Sequence, residues 1–398
     1  MTIALVLPNP PQYSEHFLAQ KIAFLRAKGF DVMVMVVGAA QLKPNVDYPI
    51  YYQPILAASG TRRWVHSLYL MGVSALRYPK RVGRLLREAK QIGYTSIGAW
   101  RLVAVLSNFL KIKTDWVHFA YGTMAVERAL IGRVIGAKVG VSFRGYDVCI
   151  APISNPNMYE NVWPYVDKVH CISNDIRNAA LKSGLPTTIP MHIIYPAISL
   201  ADFTATESYP PNEIPQIITV ARLHWKKGLE YTLEALAVLA QKGIAFHYTI
   251  VGDGRDYERL KFAAHQLGVS DRVTFLGKVA HDDIPTLLRK SDVYVQYSIQ
   301  EGFCNAVLEA QAAGLLCVVS DAEGLSENVL HEQTGWVVPK RRPELLAEQI
   351  NAVMALSDGE KNTIRKAAEA RVREAFNLEK QADAFGEFFC YAEDTEFF

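Results

Sequence analysis

Glu301 and Glu309 stand eight residues apart in Ser298-Ile299-Gln300-Glu301-Gly302-Phe303-Cys304-Asn305-Ala306-Val307-Leu308-Glu309, between two apolar runs, Val293–Tyr297 and Leu315–Ser320. The pattern predicts a strand-to-helix turn. Glu301 sits at its tip beside Gly302, where a ligand can approach the backbone closely. Eight residues at 100° each come to about 800°, so Glu309 is expected two turns on, on roughly the same face. A phosphate at this helix start would meet free N–H groups and the positive end of the dipole. Glu309 would then reach polar groups beyond the phosphate, a geometry suited to a nucleotide diphosphate sugar. From these residues alone, an acidic loop followed by a solvated helical Glu fits equally well.

A second stretch bears on the choice: Ile217-Ile218-Thr219-Val220-Ala221-Arg222-Leu223-His224-Trp225-Lys226-Lys227-Gly228. Arg222 and Lys227 follow an apolar strand, and ligands of α/β domains bind at the C-terminal ends of strands. Fixed cations there would stabilise a diphosphate leaving group as its charge grows.

The two stretches together resemble glycosyltransferase family 4, retaining enzymes with the GT-B fold, and the likeness runs over nearly the whole chain. Glu301 and Glu309 match the family's E-x7-E signature. Arg222 and Lys227 match its G-R-L-x3-K-G segment, with Ala221 in place of the usual Gly. The resemblance implies two Rossmann-like domains facing across a cleft and a terminal helix crossing back to the first. It places Glu309 on the donor ribose, Arg222 and Lys227 on the diphosphate, and Glu301 on the donor sugar hydroxyls, with the backbone of Gly302, Phe303, Cys304 and Asn305 nearby. Gly252, in Gly252-Asp253-Gly254, resembles the family's turn beneath the nucleotide, and base recognition is expected around Gly277-Lys278-Val279.

His118, ending Trp116-Val117-His118-Phe119, resembles the family's cleft histidine near the transferred sugar; a satisfied core histidine is the other reading. Ser142-Phe143-Arg144-Gly145-Tyr146-Asp147 resembles F-H-G-x-D with Arg144 in place of His. Arg144 is assigned to the donor phosphates or the acceptor. Asp147 either accepts from the acceptor or caps the next segment. The first βα loop carries Ser14-Glu15-His16-Phe17 instead of Gly-Gly, like a subgroup found in exopolysaccharide and colanic-acid-type assembly, and Glu15 is a candidate acceptor contact. No D-x-D triplet or metal-ligand spacing occurs, so no metal or other cofactor is expected beyond a UDP- or GDP-sugar co-substrate. The implied activity is retaining transfer to a saccharide or lipid-linked acceptor in cell-surface polysaccharide synthesis. Two other classes stay open: a GT-B-like sugar-nucleotide epimerase, and a non-catalytic sugar-nucleotide binding protein.

The elements that must position these groups alternate strand and helix from end to end, the pattern of α/β folds with parallel sheets. At 398 residues, two to three domains are expected. Strands are expected at Thr2–Leu7, Asp31–Val37, Trp116–Phe119, Lys138–Phe143, Lys168–Ile172 and His192–Tyr195. A second series runs Gln216–Ala221, Phe246–Val251, Arg272–Leu276, Val293–Tyr297, Leu315–Ser320 and Trp336–Val338. The assigned domains are 1–198 for the acceptor, a Pro-rich linker 199–213, 214–376 for the nucleotide sugar, and a helix in 377–398. In that helix Phe385, Phe388 and Phe389 are set to dock on the first domain.

A net charge of +2 argues against a dedicated nucleic-acid binder. Five scattered cysteines without a C-x2-C pair point to reduced thiols in the cytoplasm. The first residues read as a strand and not a signal peptide, and no apolar run reaches the 18–20 residues of a membrane span. Arg77 to Lys90 holds six basic residues against one acid, with Val82, Leu85, Leu86 and Ala89 as an apolar face. This is expected to be a basic amphipathic helix that docks on the anionic inner face of the cell membrane.

Overall fold

The structure is a computed structural model that describes residues 1–10, 16–38, 46–54, 61–203 and 212–390. The chain forms two compact units. The first holds Met1–Ile172, Ile176–Ile194 and the chain from Ala382; the second holds Ser173–Asp175 and Tyr195–Gln381.

The first unit is built on a seven-stranded sheet. Its strands are β1 (Thr2–Leu7), β2 (Asp31–Val36), β3 (Ile50–Tyr52), β4 (Trp116–Phe119), β5 (Lys138–Phe143), β6 (Lys168–Cys171) and β7 (Met191–Ile193), in the order 3-2-1-4-5-6-7. Every pair is parallel. Central strands covered on both faces read as unbroken apolar runs, and all four residues of β4 are buried. β3 was not foreseen. It is three residues long, Ile50-Tyr51-Tyr52 at the edge of the sheet between two prolines, too short a run to be read as a strand.

Four helices of this unit matter below: α1 (His16–Ala27), α2 (Thr61–Arg77), α3 (Pro79–Gln91) and α4 (Ser96–Val105). Leu18, Ile22 and Leu25 of α1 are buried at the spacing of one helix face. In α3 the apolar face is also turned inward, with Val82, Leu85 and Ala89 buried. Arg81 donates to the carbonyls of Leu110 (2.6 Å) and Ile112 (2.7 Å). These apolar side chains therefore cannot enter a bilayer, and Arg81 is a structural clamp. The sequence pattern identified the amphipathic helix correctly but not the layer its apolar face meets.

The terminal helix, Leu378–Phe389, returns the chain to the first unit. Phe385, Phe388 and Phe389 are buried there with Leu5, Val34 and Trp116. Trp116 Nε1 donates to the carbonyl of Phe389 (3.0 Å), and Lys168 Nζ to that of Phe388 (2.8 Å).

The second unit has a six-stranded parallel sheet: β8 (Gln216–Val220), β9 (His247–Val251), β10 (Val273–Gly277), β11 (Val293–Gln296), β12 (Leu316–Ser320) and β13 (Trp336–Val338), in the order 10-9-8-11-12-13. Residues 195–198, placed in the first domain from the sequence, lie in the second. There the Ile198 N–H donates to the Phe376 carbonyl (3.1 Å). Of the assigned linker, residues 204–211 lie outside the described residues.

Candidate active site

In the second unit the loops after β8, β11 and β12 lock together, and most of the chemistry read from the sequence sits on them. After β8, Trp225–Lys227 makes one 3-10 turn. Gly228 then adopts a φ of 61°, where an added Cβ would lie 2.0 Å from the Tyr297 carbonyl oxygen. The Ile299 N–H donates to the Lys226 carbonyl (2.7 Å), tying this loop to the one after β11. The result is an ion pair between Lys227 and Glu301, both side chains largely buried. Burial, the largest single influence, lowers the ammonium pKa of Lys227, but the charge and hydrogen bond of Glu301, with Cys304, together exceed it, and the net shift is upward. Arg222 is exposed beside this loop and makes no side-chain hydrogen bond or ion pair among the described residues.

The loop after β12 supports Glu301 from the other side. The Glu301 N–H donates to the Glu323 carboxylate (2.9 Å), and the Gly324 N–H donates to the Glu301 carbonyl (2.9 Å). Glu323 also pairs with Lys340 (3.2 Å) and is held at a φ of 28°. An added Cβ on Gly324 would lie 1.9 Å from the Gly302 carbonyl oxygen. One step further, the Cys304 N–H donates to Asn328 Oδ1 (3.0 Å), and Asn328 Nδ2 returns a bond to the Cys304 carbonyl (3.1 Å). Glu323, Gly324, Asn328 and Lys340 were missed from the sequence. The available signal was a second Glu-Gly dipeptide after the next strand.

The helix that follows spans Asn305–Ala312, so Glu301 precedes it and is not on a shared helical face with Glu309. The loop, and not helical periodicity, sets their separation. Phe303 turns inward, 5.5 Å from the rings of both Tyr195 and Phe376. Gly302 and Cys304 are also buried, and burial pushes the Cys304 thiol up to about 11. Asn305 opens the helix, half-buried. Glu309 is half-buried and has no side-chain hydrogen bond or ion pair among the described residues. Burial alone pushes its carboxyl up to about 7.

Gly252 lies below the Arg222 loop. An added Cβ would meet the Ala221 carbonyl oxygen at 1.9 Å, so Gly252 permits backbone packing and shapes that loop. Lys278 is exposed just after β10. Among the described residues, no three His, Cys, Asp or Glu side chains group as metal ligands would. Cys171, Cys304, Cys317 and Cys390 are free thiols.

The candidates in the first unit are placed differently. His118 is wholly buried, 5.4 and 5.2 Å from the rings of Phe388 and Phe389. Its Nε2 lies 2.8 Å from Ser142 Oγ and 3.1 Å from Lys21 Nζ. Ser142 Oγ continues to His170 Nδ1 (2.8 Å), and His170 Nε2 donates to the Ile194 carbonyl (2.9 Å). An imidazole enclosed in this way does not meet a sugar hydroxyl, so the core reading of His118 replaces the cleft reading. Asp147 is buried and accepts from Thr123 N–H (3.0 Å), Thr123 Oγ1 (3.0 Å) and Arg144 N–H (3.0 Å). It caps the Gly145–Cys149 helix and is not open to an acceptor. The Arg144 guanidinium lies 4.2 Å from the Phe17 ring centroid. Glu15 lies outside the described residues.

Residues 204–371 match the profile of the family described as glycosyl transferases group 1. WcaL of Escherichia coli (strain K12), named as a colanic acid biosynthesis glycosyltransferase, is 28% identical, covering 95% of this chain and 96% of its own. The amylovoran biosynthesis glycosyltransferase AmsK of Erwinia amylovora is 28% identical over 66% of each. Among solved structures, a glycosyltransferase from Rickettsia africae superposes with a TM-score of 0.70 at 18% identity, covering 98% and 97% of the two chains. Anabaena Alr3699/HepE in complex with UDP-glucose does so with 0.69 at 16%, covering 98% and 99%. These likenesses show the fold: two Rossmann-like units of the GT-B class.

Proposed function

The chain is a glycosyltransferase with a group 1 domain over residues 204–371, and from that premise we propose that it is a retaining, family 4 enzyme. It moves a sugar from a UDP- or GDP-sugar to a saccharide or lipid-linked acceptor in surface polysaccharide synthesis, in the cytoplasm at the inner face of the membrane. The observation that carries this reading is the Lys227–Glu301 pair beside exposed Arg222, at the strand ends that open the Asn305–Ala312 helix. The names of WcaL and AmsK support a polysaccharide role, and the HepE complex supports a nucleotide-sugar donor.

In this reading the diphosphate lies against Arg222, Lys227 and the first N–H groups of that helix. Growing leaving-group charge then meets fixed positive charge. Glu309, without a side-chain hydrogen bond or ion pair among the described residues, accepts from the ribose hydroxyls. Glu301 is held by Lys227 and the loop after β12, and it meets the donor sugar alongside the backbone of Gly302 to Asn305. Gly252 shapes the nucleotide side of the loop, with Lys278 nearby. Glu15 and Arg144 contact the acceptor. His118 and Asp147 have positioning roles only.

The test is transfer from a panel of nucleotide sugars, with and without a glycan acceptor, followed by NMR of the product. The expected product keeps the donor's anomeric configuration, and turnover persists in EDTA. An inverted product overturns retention. Loss of activity in EDTA with rescue by magnesium overturns the assignment of the charge role to cations. Donor epimerisation without acceptor, or binding without turnover, gives the protein to one of the two other classes.

A further inference from the structure

We infer that the outer face of α2, with the groove it forms beside α4, is a docking surface for an anionic lipid bilayer. This deepens the reading of a membrane-bound acceptor and rests on it for its purpose, but its observations are separate.

A surface helix of a globular protein turns its apolar stripe inward. α2 does the reverse. Its buried positions are Ser67 and Ser74, small groups that let it lie close to its neighbours. Its exposed positions are Trp64, Val65, Leu68, Tyr69, Val73 and Leu76; Val65 is 68% exposed, Leu68 61% and Leu76 85%. α4 adds Ile97 and Trp100, also exposed. Between the helices runs an apolar groove of about 510 Å³, lined by Trp64, Leu68, Met71, Gly72, Ile97 and Trp100. A contiguous apolar patch of this kind marks a site of interaction. Trp and Tyr at its rim suit the boundary between acyl chains and headgroups. No helix among the described residues is long and apolar enough to cross a membrane, so the contact is one that lies in the interface.

Charge selects the occupant. From Tyr48 to Thr114 the sequence holds eleven Lys and Arg and one acid, Glu88. Of 42 basic and 40 acidic residues in the chain, that leaves 31 against 39 elsewhere. Arg62, Arg63, Arg77, Lys80, Arg84 and Arg87 are all exposed on α2 and α3, and the Arg101 guanidinium lies 5.4 Å from the Trp64 ring centroid. An apolar face rimmed by cations complements anionic headgroups over acyl chains. A second copy of the same face would bring like charges together.

The test uses the full chain without nucleotide, sedimented with phosphatidylcholine vesicles that contain or lack phosphatidylglycerol. Binding is expected only with the anionic lipid at low salt, and weaker at high salt. The double variant Leu68→Glu with Leu76→Glu alters only exposed side chains. It is expected to keep the thermal midpoint and nucleoside diphosphate binding while losing vesicle affinity by about tenfold or more. Wild type indifferent to anionic vesicles, or a variant that binds as tightly, overturns the proposal. A wild-type dimer that the variant converts to monomer assigns the face to a second copy instead. Failure of vesicle binding with intact transfer to a soluble acceptor would count against this surface and leave the transferase reading standing.

Discussion

Lys227 and Glu301, 74 residues apart in the chain, form an ion pair that joins the loop after β8 to the loop after β11. Arg222 stands on the same loop as Lys227 but is exposed. The two cations should therefore respond differently to truncation. Arg222→Ala is expected to lower kcat/KM by about 2–5 kcal/mol of transition-state stabilisation with no change in thermal midpoint. Lys227→Ala strands an enclosed carboxylate, so it should lose transfer and also about 1–3 kcal/mol of stability. Steady-state kinetics beside thermal unfolding separates the two. Activity within about threefold of wild type for both variants would remove the donor assignment.

Glu309 gives a pH signature. Burial raises its carboxyl from the ordinary 4.5 to about 7. The folded chain thus keeps a proton that the unfolded chain has already released, and this group removes stability as pH rises from about 4.5 towards 7. Ribose hydroxyls donate to the ionised form, so nucleoside diphosphate affinity should rise with pH up to about 7, by at most about tenfold per unit, and then flatten. Calorimetry on wild type and Glu309→Gln isolates this from the titration of the nucleotide itself. Equal pH profiles would take Glu309 out of the site.

Gly228 is a backbone test of the same loops. A methyl there would meet the Tyr297 carbonyl at 2.0 Å on a left-handed residue. Gly228→Ala is expected to lose more than about 1 kcal/mol of stability and to weaken donor binding by disturbing the Lys226–Ile299 tie. Gly83→Ala, on the exposed face of α3 with no atom of the described residues within 4 Å of its added Cβ, should stabilise by roughly 0.5–1 kcal/mol. Similar effects at both positions would mean that the close approach at Gly228 has no importance.

The buried His118–Ser142–His170 chain predicts acid lability of the first unit. Burial first, and then Lys21, hold both imidazoles well below 6.5. The unfolded chain binds these protons first, so stability is lost as pH falls below 6.5, by about 1.4 kcal/mol per unit for each histidine. Denaturant unfolding at several pH values measures the slope. A folded His118→Gln, His170→Gln variant should show a shallower slope, and an unchanged one would assign acid lability to other groups.

Much of this was legible because buried parallel strands write themselves as apolar runs, and twelve of the thirteen strands among the described residues lie where such runs fall. β3 was silent because Ile50-Tyr51-Tyr52, closed in between Pro49 and Pro54, is too short a run to stand out as a strand. Arg222, Lys227, Glu301 and Glu309 were singled out by their likeness to two family motifs, and the structure joins Lys227 to Glu301 while leaving Arg222 exposed and Glu309 on the helix beyond the loop. His118 was misplaced because sequence gives a residue's strand but not which cover lies over it, here Phe388 and Phe389 from 270 residues away (His118 to Phe388). α2 escaped notice because amphipathicity gives two faces without saying which one meets the core. The support from Glu323 and Asn328 depends on loop-to-loop hydrogen bonds that no local pattern records.

The return of the terminal helix has a consequence for biosynthesis. The first unit takes Phe385, Phe388 and Phe389 into its core, and Lys168 bonds to a carbonyl 220 residues later. At 5–20 residues per second, roughly 10–45 s pass between synthesis of the two partners. Throughout that interval Trp116, His118 and Lys168 lack their cover on the ribosome, while the second unit, whose sheet is complete by Val338, already has its strands. The part made first is thus the part finished last. A nascent chain stalled just short of Ala382 should show protease resistance in its later half and susceptibility in its earlier half.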